Sequence, residues 1–154
     1  MQVLEDAEVP YSILAGNHDV IRDVDYVNAG SQSTDTDAQR TLANEPYLKW
    51  FPTTRSARQA TFGGRDSSGF HEFHIFEAEG QSFLVLSLSW RVSDAGLDWA
   101  RQVLAQHPTL PAILVNHQLL NIASDGTSPL EVPYGLMLWD CLLYTSDAAD
   151  EEDS

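Results

Sequence analysis

The run Tyr11, Ser12, Ile13, Leu14, Ala15 stops at Gly16 and is followed at once by Asn17, His18 and Asp19. A short apolar run of this kind reads as a buried strand over residues 11–15, of the type found in parallel sheets. Gly16 permits either a sharp turn or a close backbone approach, which would hold an amide, an imidazole and a carboxylate at the strand's carboxyl end. In open α/β sheets that end is where ligands sit. Residues 112–116 form a second apolar run that ends the same way, in Asn116 and His117. Two strands with polar tips constrain the chain to an α/β layout with its chemistry at one end of the sheet.

The stretches between these runs fit that layout. Residues 70–79 alternate well enough for a strand, Glu79 and Gly80 turn the chain, and residues 82–90 carry Phe83, Val85, Leu86 and Leu88. The simplest reading is an antiparallel hairpin whose second strand is central and covered on both faces. Ser93 or Asp94 can cap a helix with Ala95, Leu97, Trp99, Val103 and Leu104 on its apolar side, ending before Pro108. His107, at that helix end, favours the dipole. Asp37 can cap a short helix running toward Leu48, with Pro46 limiting its regularity. The glycines at 63, 64 and 69 make residues 62–69 a loop, and residues 28–37 and 124–133 also read as loops. Residues 1–8 suit the end of a helix and residues 134–140 the start of another. Tyr47, Trp50 and Phe51 form an aromatic cluster, suited to core packing or to stacking on an organic substrate.

The strand followed by Gly16, Asn17, His18 and Asp19, with a later strand ending at His117, resembles the G-N-H-D/E signature of the calcineurin-like metallophosphoesterases. The resemblance runs from Val9 to Asp140 and includes the order of the intervening elements. It implies an α/β fold, a mixed β-sheet sandwich flanked by helices, incomplete here, and metal-dependent hydrolysis of phosphoric esters at a two-metal centre. The cofactors implied are two divalent cations, manganese, iron or zinc. Asn17 would ligate one of them through its side-chain oxygen and His117 the same one through a ring nitrogen. His18 would protonate the leaving oxygen or steady charge on the phosphoryl group, and the substrate would be a phosphorylated small molecule or other phosphoester. Asp19 would orient His18 or cap the next turn. The family's D-x-H, G-D-x-x-D/E and G-H-x-H motifs do not occur in the 154 residues. The chain therefore reads as an internal piece of a longer enzyme, inactive alone, with residues 1–140 as a partial domain. The competing class is a noncatalytic α/β binding module that retains the fold without a complete metal site.

Charge narrows the partners. At a net −15 with only eight Lys and Arg, the chain has no basic face for nucleic acid. No apolar run approaches the roughly 20 residues of a membrane span. His71 and His74 lack metal-like spacing and read as core or exposed-strand residues. Cys141 and the residues through Glu151 back-translate to a sequence resembling a transposase sequencing adapter, so residues 141–154 are expected to be a non-native tail outside the fold. That tail holds the single cysteine, Cys141. The remainder then has no thiolate for a disulfide, a zinc site or a nucleophile.

Overall fold

The computed structural model of the chain describes residues 1–21 and 37–117. The expected loop at 124–133, the expected helix start at 134–140, the tail 141–154 and all but the last residue of the expected loop at 28–37 lie outside the described residues. A mixed four-stranded sheet organises the rest, in the order β1 (Phe62–Arg65), β2 (Glu72–Ala78), β3 (Gln81–Leu88), β4 (Ala112–Asn116). β1, β2 and β3 are antiparallel neighbours, and β4 runs parallel to β3 on its other side. The expected hairpin is present, turning at Glu79 and Gly80, both of which adopt positive φ. β3 is central.

Alternation splits the sheet into two unlike faces. Leu84, Leu86 and Leu88 of β3 and Phe73 of β2 pack with Leu97, Ala100 and Val103 of the helix Asp94–Gln106, forming the main apolar core. Ser93 caps this helix by accepting from the Gly96 N–H, and His107 follows its last turn. The crossover through the helix returns the chain to the sheet as β4, with Leu86 opposite Leu114 and Leu88 opposite Asn116. On the other face the register sets Glu72 opposite Ser87 and His74 opposite Val85. That face is polar yet buried: Glu72, His74 and Ser87 are all nearly inaccessible.

The polar face explains a departure from the sequence reading. Residues 11–15 are not a strand of the sheet; they cross its polar face, and their N–H groups go to side chains. Tyr11 N donates to Gln59 Oε1 at 2.7 Å, Ile13 N to Glu72 Oε1 at 2.8 Å and Ala15 N to Ser89 Oγ at 2.8 Å. Ser12 Oγ meets Ser87 Oγ at 2.6 Å. A backbone bond from Trp90 N to Ala15 O, 2.7 Å, ends the crossing. Carboxylate, amide and hydroxyl groups take the place of a neighbouring strand, satisfying the donors that a buried backbone must satisfy. Residues 11–15 thus form the second layer over this face.

Three smaller departures have local causes. Residues 62–65, read as loop, are an edge strand: the Phe73 ring lies where a Gly63 side chain would be, with Cε2 only 2.1 Å from an ideal Cβ, so glycine here marks close packing. The helix expected from Asp37 toward Leu48 breaks into the 3-10 turns Asp37–Gln39 and Leu42–Asn44 and the helix Pro46–Trp50, with Pro46 in its first turn. Asp37 does not serve as the cap of a continuous helix; its carboxylate reaches His71 and Ser93 instead. A one-turn helix Thr53–Ser56 then leads into β1.

Candidate functional site

The loop after residue 15 is a single 3-10 turn, Asn17–Asp19. Gly16 N donates to Asp19 Oδ2 at 2.9 Å and Asp19 N donates to Gly16 O at 3.2 Å, so Asp19 closes the turn on itself. Of the two roles open to Asp19, capping accounts for its contacts. Gly16 has φ −84 and ψ −177, a conformation any residue can adopt. Its value lies in close approach: an ideal Cβ there would stand 3.0 Å from both Cε1 and Nδ1 of His117.

His117 directly follows β4, and its Nε2 donates to Asn17 Oδ1 at 2.8 Å, joining residues 100 positions apart. Both tips are secured at the end of β3. Asn116 Nδ2 donates to Leu88 O at 2.9 Å and to Ser89 O at 3.4 Å, while Ala15 is held by Ser89 Oγ and Trp90 N. Ser89 Oγ also donates to Phe70 O at 2.5 Å. One short segment therefore positions both the residue before Gly16 and the residue before His117. Neighbouring ligand atoms about 2.1 Å from a shared cation lie about 3 Å apart in octahedral and about 3.4 Å apart in tetrahedral geometry. The 2.8 Å between the amide oxygen and the imidazole nitrogen is that of their hydrogen bond. It is also close to the octahedral spacing, so a divalent cation could replace the shared proton if the ring proton moved to Nδ1, and the donor types suit one. His18, next in the turn and exposed, opens into a cavity of about 400 Å³ shared with Tyr47, Trp50, Phe51 and Arg55.

Behind this site stands a buried polar network centred on Glu72. Its Oε2 accepts from Ser56 Oγ at 2.8 Å and from the Arg65 guanidinium, and its Oε1 accepts from Ile13 N and from His74 Nε2 at 3.3 Å. Burial alone would raise the carboxyl pKa; the His74 hydrogen bond and the Arg65 charge outweigh it and hold Glu72 at about 2. His74 is thus neither an exposed strand residue nor an apolar core residue but a member of this network.

A second cluster brings one ligand-type atom each from Asp37, Asp66 and His71 within 4.8 Å of one another. Its bonds identify it as a clasp. His71 Nδ1 accepts from Ser89 N at 3.1 Å, which leaves the ring proton on Nε2, and Nε2 donates to Asp37 Oδ2 at 2.5 Å. No ring lone pair remains for a cation. Asp66 accepts from His71 N and from Ser68, and Asp37 Oδ1 accepts from Ser93 N at 2.7 Å. Although burial raises the Asp37 carboxyl, hydrogen bonds from His71 and Ser93 bring it below its ordinary value.

Glu72, Ser87 and Ser89 escaped the sequence reading, yet their signal is in it. Glu72 with His74 on β2, and Ser87 on β3 with Ser89 just beyond its end, are polar residues at a spacing of two interleaved with Phe73 and Leu88, the pattern of a face that buries hydrogen-bonding groups.

The chain is similar to the uncharacterized protein YvnB of Bacillus subtilis (strain 168), with 29% identity over 130 residues, covering 84% of this chain and 9% of that protein. No family model matches, and no solved structure matches. Among the described residues, no helix is long and apolar enough to cross a membrane.

Proposed function

We propose that the chain contributes part of the active site of a metal-dependent phosphoric ester hydrolase. Asn17 and His117 would hold a divalent cation, manganese, iron or zinc, and His18 would face the leaving group. The observation that carries this reading is the 2.8 Å approach of Asn17 Oδ1 to His117 Nε2 between residues 100 positions apart. The cation, when bound, supplies Lewis-acid polarisation of the phosphoryl group. Asn17 Oδ1 and His117 Nε2 would hold it in place of the proton between them, with the ring proton moved to Nδ1, and as two neutral ligands would leave its charge uncompensated. His18, exposed on the same turn, would donate a proton from its imidazole to the departing oxygen.

Titration calorimetry with Mn²⁺ and Zn²⁺ tests the assignment. Asn17→Ala and His117→Ala should each weaken binding at least tenfold, whereas His18→Ala should bind as the parent does. Unchanged affinity in both ligand variants would overturn the reading in favour of a noncatalytic module. In a longer protein that supplies the remaining ligands, His18→Ala should lower the rate on an alkyl ester by about 10²- to 10⁴-fold, and by much less on an activated aryl ester.

A further inference from the structure

The aromatic residues beside His18 divide sharply in their surroundings. Tyr47 is buried, stacked on Phe70 at 5.5 Å, and its hydroxyl donates to Ile13 O at 3.3 Å. Burial pushes its phenol above the ordinary range. Trp50, three residues on, is 64% exposed. It is nonetheless mounted on a fixed frame: Arg55 Nη1 donates to Trp50 O at 2.8 Å, and the same guanidinium lies over the Phe51 ring at 5.0 Å. Glu5 Oε1, 2.5 Å from Arg55 Nε, holds that guanidinium in place. Phe51 N donates to Tyr47 O at 2.8 Å, completing the wall.

A large indole left in water on a pinned backbone gains nothing from the core. It lines the cavity that His18 lines, whose roughly 400 Å³ lies within the ~300–1,000 Å³ of small-molecule sites. We infer that this cavity is the subsite for the organic half of the substrate, and that it takes a planar aromatic group, an aryl or nucleobase moiety, stacked on Trp50 with its ester oxygen toward His18. The inference rests on the phosphoesterase reading and adds the substrate class. The aromatic specificity comes from the indole face, since Arg55 is committed to Glu5 and offers the ligand little free charge.

The test uses the whole chain with Mn²⁺ and three probes, 1-naphthyl phosphate, ethyl phosphate and inorganic phosphate, followed by the indole N–H resonances in NMR and by calorimetry. Trp50→Phe identifies the Trp50 resonance and should preserve most of the preference. 1-Naphthyl phosphate should shift that resonance saturably and bind on the order of tenfold more tightly than ethyl phosphate, the scale of one aromatic stacking contact. Trp50→Ala should erase this difference while leaving inorganic phosphate affinity unchanged. Equal affinity for the two esters, or a preference that survives Trp50→Ala, would overturn the inference. A preference for the naphthyl ester that ignores Mn²⁺ and Asn17→Ala would instead retain an aromatic pocket and remove the phosphoester assignment, so the two failures are distinguishable.

Discussion

Glu72 shows how one side chain can substitute for a strand. Its two oxygens accept from Ile13 N, Ser56, Arg65 and His74, tying residues 11–15, the Thr53–Ser56 turn, β1 and β2 together. Replacing Glu72 with Gln keeps the shape but leaves the Arg65 guanidinium buried without its counter-charge, a change expected to cost about 3–5 kcal/mol. The pH dependence follows from the depressed carboxyl, about 2 in the folded chain against 4.5 for the free group. Its contribution is complete above the higher value and is lost as pH falls through the lower, because the unfolded chain takes up the proton first. Urea midpoints at pH 7, 4 and 2.5 should therefore fall steeply for the parent and less steeply for Glu72→Gln. Parallel slopes would show that Glu72 is not the titrating group.

The tips of two elements make the candidate site, and the space between them is set by a missing side chain. An alanine at Gly16 would bring a Cβ to 3.0 Å from the His117 ring, and that ring is exposed and able to move. Gly16→Ala should accordingly leave thermal stability within a few degrees of the parent while displacing His117 from Asn17 and weakening Mn²⁺ binding severalfold. Calorimetry beside a melting curve separates this from unfolding; unchanged Mn²⁺ affinity would mean that the approach of His117 to Gly16 does not matter to the site. The helix Asp94–Gln106 plays the complementary part. Its packing on Leu84, Leu86 and Leu88 fixes the parallel return of β4, which delivers Asn116 and His117 to the end of β3.

At the scale of the molecule the sheet is asymmetric, apolar toward the helix and polar beneath residues 11–15, with the candidate site at the end where β3 and β4 finish. Residues 141–154 are proposed to add nothing to this assembly, on the strength of their adapter-like sequence and their acidity. Five of them, Asp147, Asp150, Glu151, Glu152 and Asp153, are acids, a composition unsuited to a core. A chain ending at residue 140 should melt at the parent's temperature, and a loss of several degrees would return the tail to the fold. The hairpin, the capped helix and the strand ending at His117 were legible in the sequence because each is signalled locally, by alternation, by Ser93 before an amphipathic run, and by an apolar stretch ending in polar residues. The polar tip at Asn17 and His18 was legible for the same reason. Whether residues 11–15 would pair as a strand or cross a face was decided only in three dimensions. The side chains that satisfy their N–H groups, those of Gln59, Glu72 and Ser89, come from 48, 59 and 74 positions away. Gly63 likewise read as loop until the Phe73 ring filled the space beside it. Periodicity and caps act within a few residues, whereas a buried backbone donor accepts whichever partner the assembled fold brings to it, and that choice is made by tertiary structure.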